Sequence, residues 1–323
     1  MNSVPIALNK AAMRKYEDLE VPCEAILATY VWVDGTGINL RSKDRTFDFV
    51  PKTYKDLPVW YFDGSNTAQA NSENSDTFIF PVVIYHDPFR RGNHILEFFL
   101  TTTDNRPLGW PPGGFPAPPG PYYCAIGANK IVARDLMEAF YRCCLYAGVH
   151  INGINTGTTP SQWNFQVGPS PGIRAADDLW MARYILCRLA EEYGTVATFE
   201  PQPIPDWPGN GTFVYFSTKD MRDDDGIQVI ERAIDKLARR HGAHINEYDA
   251  NNGADNVRRL TGKNGMPHMR DFTAGVANRG CSVRIPRQVA EDKKGYLEDR
   301  RPAANADPYR VVSILLRTCI FDE

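Results

Sequence analysis

The stretch Thr159-Pro160-Ser161-Gln162-Trp163-Asn164-Phe165-Gln166-Val167-Gly168-Pro169 restricts the fold more than any other part of the chain. Phe165 and Val167 alternate with Asn164 and Gln166, and a period of two residues is that of a β-strand. Gln162, Asn164 and Gln166 then share one face, and Gly168-Pro169 ends the run. A row of amides beside Trp163 and Phe165 reads either as a polar site or as an edge strand with a solvated face.

The surrounding elements alternate in type. An amphipathic helix is expected over about Leu8 to Tyr16, then strand-like runs at Glu24 to Val33, Arg45 to Val50 and Phe78 to Tyr85. Asp34-Gly35 reads as a hairpin turn and Asp63-Gly64 as a second turn. Few helical periods occur before residue 90, so residues 1–90 read as a small β-rich domain. Beyond it, helices are predicted over Ala128 to Tyr146, stopped by Gly148, and over Ala175 to Tyr193, closed by Gly194. Ile227, Ile230, Ile234 and Leu237 form an apolar stripe that stops before Gly242. Pro308 opens a last helix to Cys319. Strands are expected at Val149 to Ile154, Ser161 to Val167, Thr195 to Phe199, Gly211 to Phe216 and Ser282 to Ile285. Hairpin-like order with helices between suits an α+β fold with an antiparallel sheet. The Pro- and Gly-rich run from Pro107 to Pro121 reads as a structured loop.

A chain of 323 residues is long enough for two domains with a good core. A formal net charge of −3 gives no general attraction to nucleic acid or anionic lipid. No apolar run approaches the roughly 20 residues that span a bilayer. The Met1-Asn2-Ser3 start shows no signal-peptide pattern. Seven cysteines without paired spacing read as reduced thiols, and together these features predict a cytoplasmic protein.

Several longer motifs follow one another in a recognisable order. They are Trp60-Tyr61-Phe62-Asp63-Gly64-Ser65-Asn66-Thr67, Gly120-Pro121-Tyr122-Tyr123-Cys124, the stretch around Asn164, Phe216-Ser217-Thr218-Lys219, Ala274-Gly275-Val276-Ala277-Asn278-Arg279 and Lys294-Gly295-Tyr296-Leu297-Glu298-Asp299-Arg300-Arg301-Pro302. From about Glu24 to Arg317 the chain resembles the eukaryotic-type glutamine synthetases. The resemblance implies a β-grasp domain over residues 1–90. Over residues 91–323 it implies a larger domain, with an antiparallel sheet curved round the active site and helices outside. It also implies a ring homo-oligomer, either pentameric rings stacked as a decamer or a single ring, with the loop from Asp63 to Asp76 at the seam between subunits. An isolated monomer would leave that loop, with Trp60 and Phe62 near it, without a partner.

Members of that family use two or three divalent cations to gather ATP and glutamate. Phosphoryl transfer makes γ-glutamyl phosphate, and ammonia then displaces phosphate. The family's glutamate and histidine ligands fall here on Gly157, Asn164 and Phe213, and its flap glutamate on Gly265. Near residues 91–100 the chain is shorter by roughly 40 residues, about one strand-plus-helix unit. There Glu97 keeps at most one ligand, and Ile95 replaces another. Glu298 is the secure survivor. Hard cations need oxygen-rich shells, so no metal site is expected.

Arg258, Arg259, Arg279, Arg284 and Arg300 stand where the resemblance implies contacts to carboxylate and phosphate; structural ion pairs are the alternative. Asp63, Ser65 and Asp76 stand at the ammonium-side loop. With the metals and their carboxylates gone, the arginines lack nearby anions and cannot shed their charge. Such a pocket attracts an external anion. Phe213 and Tyr215 make one wall aromatic, as in an organic-acid site. Substrate contacts are therefore expected from the five arginines, Asn164, Phe213, Trp163 and Ser217. Acid–base work is expected from Tyr215, Asp63, Glu298 and His268. These features predict a protein that has lost metal-dependent glutamine synthesis and is not an active ligase. Its pocket would bind or transform a small organic acid without metal or other cofactor. The alternatives are a catalytically dead structural or regulatory subunit, and a residual glutamate–ammonia ligase.

Overall fold

A computed structural model describes residues 26–36, 40–84, 98–104, 106–111 and 114–323, together with 16 and 19. The expected helix at 8–16 falls, apart from Tyr16, outside the described residues, as do His94 to Glu97. The chain divides into two compact units. One comprises residues 1–61, 66–68 and 78–198, and the other residues 62–65, 69–77 and 199–323.

In the first unit, β1 (Ile26–Val33) and β2 (Leu40–Phe47) pair antiparallel, from Ile26 opposite Phe47 to Val33 opposite Leu40. Asp34 begins the turn, its Oδ1 accepting from Thr36 N at 3.1 Å. The second strand starts earlier than Arg45. Its first residues face the 120–124 segment, where Arg41 donates to the carbonyls of Pro121 and Tyr123 at 3.2 and 2.7 Å. β3 (Trp60–Asp63) and β4 (Asp76–Ile79) form a second two-stranded sheet, of which residues 62–63 and 76–77 count with the second unit.

A four-stranded antiparallel sheet completes the unit, built from β5 (Phe98–Thr101), β6 (Ile151–Thr156), β7 (Gln162–Val167) and β8 (Val196–Thr198) in the order β6-β7-β5-β8. Helices α1 (Arg134–Tyr146) and α2 (Arg174–Glu192) accompany it. Leu136, Met137, Phe140 and Cys144 of α1 are buried, and Phe140 packs 5.0 Å from Phe165 of β7. Both helices end as expected, at Gly148 (φ 72°) and Gly194 (φ 65°), where the left-handed backbone suits glycine.

In the second unit the chain runs through β9 (Val214–Phe216), α3 (Lys219–Arg222), α4 (Ile227–Arg239), α5 (His241–Glu247) and α6 (Asn256–Arg259). It continues through β10 (Ala274–Val276), β11 (Val283–Ile285), α7 (Arg287–Asp292), β12 (Leu297–Asp299) and α8 (Pro308–Leu316). The strands order as β10-β11-β12-β9, with a parallel β10–β11 pair and antiparallel pairs elsewhere. The α4 stripe packs Ile230, Ile234 and Leu237 onto Val283, Leu297 and Leu315. As the stripe suggested, α4 stops at Arg239, before Gly242. A separate short helix, α5, then includes Gly242, its face burying His244 and Ile245 while Gly242 lies over open space. Burial there offsets the roughly 1 kcal/mol that a helical glycine costs.

The α+β architecture is as expected. The division near residue 198 follows chain contacts, and the boundary at residue 90 remains a proposal resting on the resemblance. Asp307 caps α8, its carboxylate accepting from Tyr309 N at 3.0 Å, with Pro308 at the first helical position. Asp307→Ala should cost about 1 kcal/mol, read as a lower urea midpoint at unchanged slope.

Candidate functional site

The period of a strand organises the site in the second unit. On β12 and the residues after it, Glu298 and Arg300 fall on one face, Asp299 and Arg301 on the other. Each face closes an ion pair two residues apart. Arg301 grips Asp299 through Nε (2.9 Å) and Nη2 (2.7 Å), and both side chains are fully buried. Tyr248 donates to Asp299 Oδ2 at 2.7 Å. Burial pushes the Asp299 carboxyl up, but Arg301 more than offsets it and holds it below its ordinary value.

Two histidines complete this face, and their neighbours fix their tautomers. Arg301 Nη1 can only donate, so His241 Nδ1 accepts (3.0 Å) and Nε2–H donates to Met269 O at 2.8 Å. The Tyr248 hydroxyl spends its proton on Asp299, so His244 Nδ1–H donates to it at 2.6 Å and Nε2 accepts from Thr318 Oγ1 at 2.9 Å. Burial first, then the Arg301 charge, pushes His244 down to about 3. The unfolded chain therefore takes up this proton first, near pH ~6.5. The contribution is fully present above that pH and shrinks as pH falls toward 3, by at most about 1.4 kcal/mol per pH unit. His244→Gln should flatten the fall in unfolding free energy between about pH 6.5 and about pH 4.5, measured by urea titration.

On the other face, Arg284 of β11 stands in register with Glu298. Arg284 Nη1 reaches Glu298 Oε2 at 2.7 Å, and Arg300 Nη1 reaches Oε1 at 2.5 Å. Arg284 also pairs with Asp76, which accepts from Arg287 N at 3.0 Å. Burial pushes the Glu298 carboxyl up, but the two guanidinium groups more than offset it and keep it ionised. The Phe213 ring lies 4.3 Å from the Arg300 guanidinium.

The remaining arginines are also engaged. Arg279 Nη1 contacts Asp63 Oδ2 at 2.8 Å and Ser65 Oγ at 3.0 Å. Arg258 joins Glu200 (2.5 Å) and Asp255 (3.0 Å). Arg259 is a structural clamp, donating to the carbonyls of Arg300, Arg301 and Pro302 and to Asn256 Oδ1. Beside Arg258, a cavity of about 70 Å³ is lined by Trp207, Lys263 and Met266 among others. The expected shortage of anions around the arginines is thus corrected. Asp63, Asp76, Glu200, Asp255 and Glu298 supply it from within the chain. Within its own chain the loop from Asp63 to Asp76 pairs with Arg279 and Arg284, and Phe62 beside it is buried.

Other sequence-predicted residues take varied roles. Trp163 is buried and donates to Val132 O at 2.9 Å, a packing role. Asn164 is half-buried opposite Asn155, and its buried Oδ1 has no hydrogen-bond partner among the described residues. Ser217 donates to Gly295 O at 2.6 Å and accepts from Arg222 at 2.9 Å. Tyr215 is register-paired with Glu298 and meets Tyr296 edge-on at 5.4 Å. His268 is largely exposed, 3.6 Å from Asp271. Glu298 is a charge anchor and not a proton carrier, because its two arginines keep it ionised.

The cations implied by the resemblance do not fit these residues. At Gly157 a Cβ would lie 2.4 Å from Gln162 Oε1, so that side chain occupies the space. Phe213 offers no donor atom, and both oxygens of Glu298 are taken. Among the described residues no three His, Cys, Asp or Glu side chains converge.

Comparison with known proteins gives the lineage. Residues 95–227 match the glutamine synthetase catalytic domain. Glutamine synthetase 2 cytoplasmic of Drosophila melanogaster is 49% identical over 356 aligned positions, covering 98% of this chain and 96% of that protein. Because the chain has 323 residues, at least 33 of those positions have no counterpart here, which accords with the expected deletion. The glutamine synthetases of Panulirus argus (49%, 98% of each chain) and Mus musculus (48%, 98% of this chain and 95% of that one) are similar over the same span. A solved structure of a GmaS/ADP complex superposes with a TM-score of 0.52 at 19% identity, covering 71% of this chain and 53% of that one, a likeness of fold. Near-full-length relatives that carry the enzyme's name overturn the expectation of a lost activity, whether as a repurposed organic-acid pocket or as a dead subunit. By identity and by coverage, the chain belongs to the glutamine synthetase family.

Proposed function

We propose that this chain is a glutamate–ammonia ligase, which uses ATP to join ammonia to the side-chain carboxyl group of glutamate. The observation that carries this reading is the 48–49% identity, over 98% of the chain, to proteins named glutamine synthetase. In this reaction a glutamate carboxylate oxygen attacks the terminal phosphorus of ATP and ADP leaves. Ammonia then attacks the acyl carbon, phosphate leaves and the nitrogen gives up a proton.

The side chains support the anionic half of that chemistry. Arg300 meets Glu298 through Nη1, and its buried Nε has no hydrogen-bond partner among the described residues. Arg279 meets Asp63 and Ser65 through Nη1. Their remaining N–H groups can donate to phosphate or carboxylate oxygens. Arg258, half-exposed beside its cavity, is a third candidate. Asp63 is the carboxylate proposed for the ammonium, and Tyr215 and His268 are exposed enough to exchange protons with solvent. A homo-oligomer accords with membership of the family, its arrangement as a ring is part of the proposal, and a cytoplasmic setting accords with the name of the Drosophila melanogaster relative.

Hydroxylamine in place of ammonia traps the activated acyl group as a hydroxamate. The full chain, supplied with glutamate, Mg·ATP and hydroxylamine, should yield hydroxamate above a no-protein control. Yield at the control level rejects the reading.

A further inference from the structure

A divalent cation on Glu298 would sit about 2.0–2.6 Å from a carboxylate oxygen. Both oxygens instead accept short hydrogen bonds from guanidinium groups, at 2.7 Å from Arg284 and 2.5 Å from Arg300. Asp76 and Glu298 balance Arg284 and Arg300 charge for charge, with Glu298 and Asp76 at 1% and 0% side-chain exposure. A metal there would meet two fixed positive charges and no second donor from Phe213.

The neighbouring positions are shaped around these arginines. Phe213 presents its ring face to Arg300, 4.3 Å from the centroid, where a guanidinium is attracted to the ring's electron-rich face. Gly211 leaves the room: a Cβ there would come within 2.9 Å of the Phe213 ring and 2.7 Å of Arg259 Nη1. At Gly265 a Cβ would lie 2.6 Å from Arg279 Nε. Position 213, where the resemblance implies a metal ligand, and position 265, where it implies an acidic flap, have become surfaces on which guanidinium groups pack.

We infer that Arg284 and Arg300 hold the place of a divalent cation at Glu298, and that Phe213 is the positioning residue that keeps Arg300 over that carboxylate. The inference goes beyond the ligase reading and does not depend on it, because cation occupancy and ring electronics are measured without turnover.

Two measurements on the full chain test it. In the first, Mn²⁺ is titrated without nucleotide and free ion is followed by electron paramagnetic resonance. The expected result is that an equimolar chain leaves the free-ion signal at full amplitude. Binding that persists in Glu298→Gln places the ion away from this carboxylate and agrees with the inference. Stoichiometric binding that Glu298→Gln abolishes overturns it. In the second, Phe213 is replaced by phenylalanine analogues of increasing ring fluorination, which weaken the ring's negative face with little change in size. A stepwise fall in unfolding temperature is expected. An unchanged temperature across the series, the behaviour of plain packing, overturns the role of Phe213 even if Glu298→Gln fails to fold.

Discussion

Asp299→Asn should destabilise the protein by about 3–5 kcal/mol, more than any surface charge change. The substitution keeps the shape and removes the charge. Arg301 would stay fully buried, gripping a neutral amide, and guanidinium cannot lose its proton to escape. The amide keeps only one acceptor oxygen, so a donor from Arg301 or Tyr248 would face its NH2 group, disturbing the hydrogen bonds that run through Tyr248 to His244. By contrast, Arg317 and Glu323 are more than half exposed, and breaking that pair should change stability by less than about 1 kcal/mol. Urea unfolding of both variants makes the comparison. A loss under about 1 kcal/mol for Asp299→Asn would contradict the account of this face.

Arg300→Ala should lower kcat/KM for glutamine formation by about 10²–10³-fold, the range seen when one positioned donor to a developing charge is removed. Among the described residues the buried Nε of Arg300 has no hydrogen-bond partner, and one nitrogen of its guanidinium is committed to Glu298. The variant also leaves Glu298 with one partner, so its unfolding curve must accompany the kinetics. Arg300→Lys separates the two roles. It keeps a positive charge for Glu298 but cannot reproduce the fork or the flat contact with Phe213. Stability should largely return in Arg300→Lys while the rate stays low. Equal kcat/KM in wild type and Arg300→Ala would remove Arg300 from the reaction.

Much of the frame was legible in the sequence. The alternation through Phe165 and Val167 marked β7 almost to the residue, and Gly148 and Gly194 marked two helix ends, because both signals are local. The end of the α4 stripe before Gly242 was legible too, but the short helix α5 beyond it was not, since the burial of His244 and Ile245 that holds it is tertiary. Phe78 to Tyr85 misled. The strand ends at Ile79, and Phe80 and Val82 are exposed beyond it.

The site was legible in part. The spacing of Glu298-Asp299-Arg300-Arg301 on a strand already places each acid beside the arginine two residues on, a signal that could have revealed both ion pairs. The partners of Arg279 and Arg284 lie some two hundred residues away, at Asp63 and Asp76, beyond any local pattern. Assigning those two acids to a neighbouring subunit made the arginines look unbalanced. The inferred loss of activity followed from that imbalance and from the absent ligands, and the relatives do not support it.

Isotopically labelled ammonia tests the central claim most directly. The full chain, given labelled ammonia, glutamate and Mg·ATP, should release glutamine carrying the label together with one ADP per amide formed, and Arg300→Ala should release far less. Absence of labelled glutamine above a no-protein control, from protein shown to be folded, would contradict the ligase reading.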